Sequence, residues 1–212
     1  MKMRTINNQI GRICLGILCT LSMTWSVCAQ SNDPTFQALL KNGFRSEGIA
    51  DLERLKQDEF QALCTDSQSL KTTVGKRKQA ELEKKALASI LPPSDGKYLG
   101  DWKSGELIAQ NGRGATWSDT ANMSNGGGCY NCHQINPKEI SFGNLGPSLV
   151  NYGKNRGASP EILQYTWNRI SNSKAYNACS KMPRFAHFQL LTQTQIKDLM
   201  ALLFDPQSPV NQ

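Results

Sequence analysis

The densest chemistry in the chain lies in Cys129-Tyr130-Asn131-Cys132-His133. Two thiols three positions apart can add to the two vinyl groups of one porphyrin, and the adjacent histidine can bind its iron through an imidazole nitrogen. Such links hold a haem even when bonding to iron changes with redox state. Two other chemistries fit the same residues. Cys129 and Cys132 could be bridged as in redox motifs, with His133 incidental, or both thiols and His133 could join a fourth ligand around zinc. An export signal and features downstream of the motif favour one covalent haem c.

Gly146-Pro147 is the first of those features. A proline carbonyl at such a place accepts the second imidazole N–H, which fixes the ring and raises its basicity as a ligand. Taken alone, the dipeptide is only a turn. A second iron ligand must come from His187, Met123, Met182 or Met200, the histidine and methionines left after the N-terminal segment and His133 are set aside. Met200 falls on an apolar helical stripe and reads as core. Met123 is too close to Cys129 to reach over the opposite face of a haem. Met182 stands in Lys181-Met182-Pro183-Arg184-Phe185, where Pro183 stiffens a loop, and it is preferred over His187. A His/Met pair raises the reduction potential and leaves no open position for oxygen chemistry. Arg184 could balance a haem propionate or be an ordinary exposed arginine.

The start of the chain reads as a signal peptide. Lys2, Arg4 and Arg12 precede an apolar run from Ile13 to Trp25, and Val27-Cys28-Ala29 offers small residues for cleavage after Ala29. The run is short for a bilayer span. Lipid attachment at Cys19 or Cys28 is disfavoured because Leu18 and Val27 are larger than the residue expected before a lipidated cysteine. The formal charge of the whole chain is +7. Without residues 1–29 the chain keeps 21 Lys+Arg against 17 Asp+Glu, which is mildly basic and no nucleic-acid footprint. A periplasmic protein with no stable membrane insertion is expected.

Cys64 and Cys179 are left once the motif and the signal peptide have claimed the other cysteines. They are two unrelated thiols, or a disulfide favoured by an oxidising compartment, or, for Cys179, a ligand to iron. A disulfide would tether the N-terminal region beside the Met182 loop and, unstrained, stabilise by about 4–5 kcal/mol in the chain-entropy model.

Residues 30–96 read as a helical extension. Asp33-Pro34 forms an N-cap and first helical position. Ile49, Leu52, Leu55 and Phe60 trace an imperfect stripe, and Gln68 to Ile90 reads as a charged helix weakened near Gly75. Residues 97–212 read as the compact domain, with a short helix that takes in Gly105 to Gln110 around Trp102, Leu107 and Ile108, a helix opened by Ser159-Pro160-Glu161, and a last helix capped by Thr192 and Gln195. No stretch alternates as a strand does, so the fold class is all-α.

Three stretches resemble the SoxX family: Cys129-Tyr130-Asn131-Cys132-His133-Gln134, Gly143-Asn144-Leu145-Gly146-Pro147-Ser148-Leu149, and Ala178-Cys179-Ser180-Lys181-Met182-Pro183-Arg184-Phe185. The likeness runs over roughly residues 58–210 and includes Cys64. Ala186-His187 departs from the glycine expected after Phe185. The resemblance implies a class I cytochrome c domain whose haem is attached at Cys129 and Cys132 and ligated by His133 and Met182. It implies a periplasmic electron-transfer subunit of the SoxAX heterodimer, an L-cysteine S-thiosulfotransferase, with no catalytic residue of its own. Electrons released when thiosulfate is joined to the SoxYZ carrier cysteine would pass from a SoxA-like subunit through this haem to a soluble cytochrome c. The alternative is a free-standing periplasmic electron shuttle, for which the long extension has no evident use. A haem sensor that exchanges Met182 for a gas ligand is a third possibility.

Overall fold

The computed structural model describes residues 33–212, so the expected signal peptide lies outside the described residues. Helix α1 spans Pro34–Gly43, and its cap Asp33 accepts from the amides of Thr35 and Phe36. None of its residues is buried.

The stripe from Ile49 to Phe60 is not one helix. It divides into a 3-10 turn at Leu52–Leu55 and helix α2 at Glu59–Thr65. Asp58 and Gln61 form a capping box, each side chain accepting from the other's amide, so a new helix starts there. Helix α3, Thr73–Ala88, begins at its cap Thr72, after a 3-10 turn at Ser69–Lys71. The break therefore falls before Gly75, which is buried in the first turn. A Cβ at Gly75 would meet the Ser69 carbonyl oxygen at 2.0 Å, so the absent side chain lets that turn lie against the helix.

Helices α4 (Trp102–Gln110), α5 (Tyr152–Arg156), α6 (Pro160–Ser171) and α7 (Gln193–Phe204) follow. Ser159 and the Thr192–Gln195 box cap α6 and α7 where the sequence predicts. Helices α4 and α7 form the most extensive helix pair. They meet at Gly105, where a Cβ would lie 2.1 Å from the Asp198 carbonyl oxygen and 3.0 Å from Leu202 Cβ. The α7 stripe supplies Ile196, Leu199, Met200 and Leu203 to the main core, beside Trp167 and Ile170 of α6. A smaller core joins Phe60 of α2 and Leu82 and Ala86 of α3 to Ala175 and Ala178. The extension is therefore packed directly on the segment preceding Met182. The fold is all-α: among the described residues there is no strand, only an isolated bridge between Glu47 and Ala50. No helix among them is long and apolar enough to cross a membrane.

Candidate functional site

The cysteine motif is held in place by backbone pairing on both sides. Before it, the amides of Gly126, Gly127 and Gly128 donate to the carbonyls of Arg113, Ile108 and Asn111, each at 2.8 Å, strapping the loop over the end of α4. The fit requires glycine: a Cβ at Gly126 would stand 1.8 Å from the Asn111 carbonyl oxygen, and Gly128 has φ of +57°. The motif itself is a 3-10 turn at Cys129–Asn131, and the His133 amide donates to the Cys129 carbonyl at 2.9 Å. After it, the chain folds back. The amides of Gly143, Gly146 and Leu149 donate to the carbonyls of Tyr130, Cys132 and Gln134, each at 2.8 Å.

That return strap positions the imidazole. His133 Nδ1 lies 2.7 Å from the Pro147 carbonyl oxygen, which can only accept, so Nδ1 carries the hydrogen. In the neutral ring the lone pair then resides on Nε2. Gly146 supports the ring: a Cβ there would meet Cε1 at 2.2 Å and Nδ1 at 2.5 Å. Gly146-Pro147 is therefore both a turn and the seat of the histidine.

Tyr130, between the two cysteines, is buried and fixes the turn to α4. Its hydroxyl donates to Glu106 Oε1 at 2.8 Å and accepts from the Asn136 amide at 3.2 Å. Burial first, and then Glu106, push the Tyr130 pKa up. The other oxygen of Glu106 is buried without a hydrogen-bond partner. Sequence reasoning assigned Glu106 no role, because nothing in its neighbours marks it as facing the motif.

Cys129, His133 and Met182 line one cavity, of about 830 Å³ counting its open mouth. Its wall is mostly apolar, with Ile135, Leu149, Phe185 and Leu199 among its members, and Arg156 and Arg169 bring guanidinium groups to it. Cys132 is not part of that wall. Both motif cysteines are free thiols, and burial pushes the Cys129 thiol up to about 12. Among the described residues no three His, Cys, Asp or Glu side chains form a group able to hold a metal ion, so the zinc alternative is not assembled.

The competing ligands are elsewhere. Met200 is fully buried in the core, Met123 is exposed, and His187 lines a different cavity beside Trp167 and Ser171. Burial, followed by the charge of Arg184, pushes the His187 pKa down.

The loop bearing Met182 continues the end of α6. The amides of Phe185 and Ala186 donate to the carbonyls of Ile170 and Ser171 at 3.3 and 3.0 Å, satisfying groups the helix end leaves open. The Ala178 amide donates to Glu83 of α3 at 2.9 Å, and Cys179 is bonded to Cys64 with an S–S distance of 2.01 Å. Arg184 does not serve the cavity. It is 4% exposed, pairs with Asp58 at 2.5 Å, and lies over the ring of Phe188 at 4.3 Å. The propionate role and the exposed-arginine reading are both corrected: the capping carboxylate of α2 draws the guanidinium toward the extension. Arg156 and Arg169 are the cationic groups of the cavity, and sequence reasoning did not single them out. Their signal was available, since Arg169 lies one turn from Tyr165 on α6 and Arg156 precedes the helix break at Gly157.

No family model matches the chain. A lipoprotein of Aquifex aeolicus (strain VF5), itself described as uncharacterized, is 38% identical over 157 residues, which cover 73% of each chain. At that identity and coverage the chain belongs to the same family as the Aquifex aeolicus lipoprotein.

Proposed function

We propose that the chain is an exported class I cytochrome c with one covalent haem c, serving as the SoxX-like electron-transfer subunit of a thiosulfate-processing SoxAX complex. The observation that carries this reading is the shared cavity of Cys129, His133 and Met182, with His133 Nδ1 held by Pro147 and Nε2 free to ligate. The residues fit the group. One imidazole nitrogen and one thioether suit haem iron, the wall is apolar, and Arg156 and Arg169 match the charge of the propionates.

Cys129 and Cys132 would hold the haem through thioether bonds. His133 and Met182 would ligate its iron, and the apolar wall would exclude water. When bound, the haem supplies a one-electron site whose potential methionine ligation raises. The chain contributes orientation and charge, and no acid, base or nucleophile. Electrons would arrive from a SoxA-like subunit acting on the SoxYZ carrier and leave to a soluble cytochrome c. The extension, packed on the Met182 loop and tied there by Cys64–Cys179, favours a dedicated subunit over a free shuttle.

The description of the relative as a lipoprotein supports export and raises membrane attachment for this chain also. Large Leu18 and Val27 before Cys19 and Cys28 favour cleavage after Ala29 and release into the periplasm. Mass analysis of the exported protein tests both points: one added haem and no lipid are expected. Absence of the haem would overturn the cytochrome reading. Co-purification should recover a SoxA-like chain from the native source, and recovery as a monomer would favour the shuttle.

A further inference from the structure

Both backbone polar groups of Met182 are held by side chains. Ser173 is 0% exposed in the 3-10 turn Ser173–Ala175 that follows α6, and its hydroxyl donates to the Met182 carbonyl at 2.6 Å. The Met182 amide donates to the Ser180 hydroxyl at 3.2 Å, and the Ser180 carbonyl accepts from Lys174 Nζ at 2.9 Å. The carbonyl of Ser173 accepts from Arg169 Nη1 at 3.2 Å, and Arg169 is on the wall of the cavity that Met182 enters. One buried residue therefore joins the ligand loop to a cationic group of the cavity.

We propose that Ser173 is a positioning residue for the Met182 thioether, its buried hydrogen bond holding the loop closed over the cavity. The inference rests on the reading of Met182 as the second iron ligand. A loop-borne thioether is in equilibrium with an open arrangement in which an external ligand can take its position. The Ser173 hydroxyl meets the Met182 carbonyl only in the closed arrangement. Removing it leaves that carbonyl unpaired there, while the open loop can turn the same carbonyl to water. A buried hydrogen bond of ordinary net strength then biases the equilibrium by about tenfold. The apparent affinity of an external ligand is set by the fraction of open protein, so it changes by the same factor.

The test uses the full exported holoprotein in its ferric form, titrated with imidazole, and follows the weak red-region band of methionine-to-iron ligation. In Ser173→Ala the band should weaken and the apparent imidazole affinity rise about tenfold. Ser208→Ala is the matched control. Ser208 is also 0% exposed and donates to a backbone carbonyl, that of Leu202 at 2.5 Å, so it should lose stability with unchanged imidazole affinity. Unchanged affinity in Ser173→Ala, with stability lost as in the control, would overturn the proposal. If Ser173→Ala does not fold, the less buried Ser180→Ala decides, because it releases the Met182 amide and must shift affinity in the same direction. A wild-type holoprotein lacking the red-region band defeats the underlying reading and this inference together. A normal wild-type band that Ser173→Ala leaves unaltered defeats the inference alone.

Discussion

Arg184 reaches 126 residues back along the chain to the carboxylate of Asp58, at 2.5 Å. The contact joins the loop of Met182 to the residue that caps α2, and the guanidinium also lies 5.6 Å from the centre of the Phe60 ring. One carboxylate thus performs two tasks, and substitutions separate them. Asp58→Asn keeps a good helix cap but leaves the buried Arg184 guanidinium without its counter-charge, and should cost about 2–3 kcal/mol. Asp58→Ala loses the cap as well and should cost about 3–4 kcal/mol. Arg184→Ala strands a partly buried carboxylate and should cost about 2–3 kcal/mol, below the range for fully buried pairs because Asp58 is one-third exposed. Urea unfolding of the three variants gives the order. Equal losses for Asp58→Asn and Asp58→Ala would show that capping contributes nothing.

The same pair sets a pH dependence. Burial acts to raise the Asp58 carboxyl, but the Gln61 amide and the Arg184 guanidinium outweigh it and hold its pKa below the ordinary value. The folded state therefore favours the ionised form. This stability is present above the unfolded carboxylate pKa of about 4 and is lost as pH falls through the folded value. His187 has the same sign at higher pH. Burial and Arg184 lower its pKa, so the folded state favours neutral imidazole, and stability falls as pH drops below the unfolded value of about 6.5. Unfolding midpoints between pH 8 and pH 5 should decline in wild type and flatten in His187→Gln. An identical decline in that variant would remove His187 as the cause.

Gly146 offers the sharpest local test of the imidazole seat. A methyl at this position would overlap the His133 ring, and overpacking of a fixed group costs about 1–3 kcal/mol. On the proposed reading that His133 ligates a haem, Gly146→Ala should yield protein with less haem per chain and an altered spectrum. Gly105→Ala, which separates α4 from α7, should lower stability without changing the spectrum of the haem that remains. Full haem occupancy in Gly146→Ala would show that the strap yields and that Pro147 alone orients the ring.

The local geometry of the site was legible where it depended on neighbours in sequence. Spacing in Cys129–His133 and the Gly146-Pro147 pair are local patterns, as are the caps Asp33, Ser159 and Thr192. The helix stripe from Ile49 to Phe60 misled because apolar periodicity was followed through Asp58, whose capping box begins a new helix. Arg184 misled for the opposite reason. Its partner is set by the packing of the extension on the loop, and nothing in Met182-Pro183-Arg184 points to Asp58. Glu106 and Ser173 were equally hidden, since each acts through a single contact made only in the folded chain.

Cys64–Cys179 closes a loop between positions separated by 115 residues. In the chain-entropy model a loop of that size is worth about 4–5 kcal/mol, an upper bound when the reduced chain keeps structure. Cys64→Ala/Cys179→Ala should therefore be the most destabilised of these variants in urea. Extension contacts that survive through Phe60, Leu82 and Arg184–Asp58 should keep the loop in place under native conditions. A double variant as stable as wild type would mean that those contacts alone fix the extension.

Arg156 and Arg169 make the last prediction, one that separates a charged cavity wall from mere packing. Arg169 is half-buried and Arg156 is exposed, stacked 5.3 Å from the centre of the Tyr152 ring. If the cavity holds the proposed haem, a positive charge beside it favours the reduced state, because oxidation adds positive charge to the same region. Removing the more buried cation should remove about 1 kcal/mol of that bias, which lowers a one-electron potential by about 40 mV. The exposed cation is screened by water and salt, so Arg156→Gln should shift the potential less, and its shift should shrink as salt is raised. Potentiometric titration of Arg169→Gln and Arg156→Gln at low and high salt checks both statements. Equal potentials in wild type and Arg169→Gln would mean that this guanidinium supports the wall through its bond to Ser173 and leaves the charge of the haem untouched.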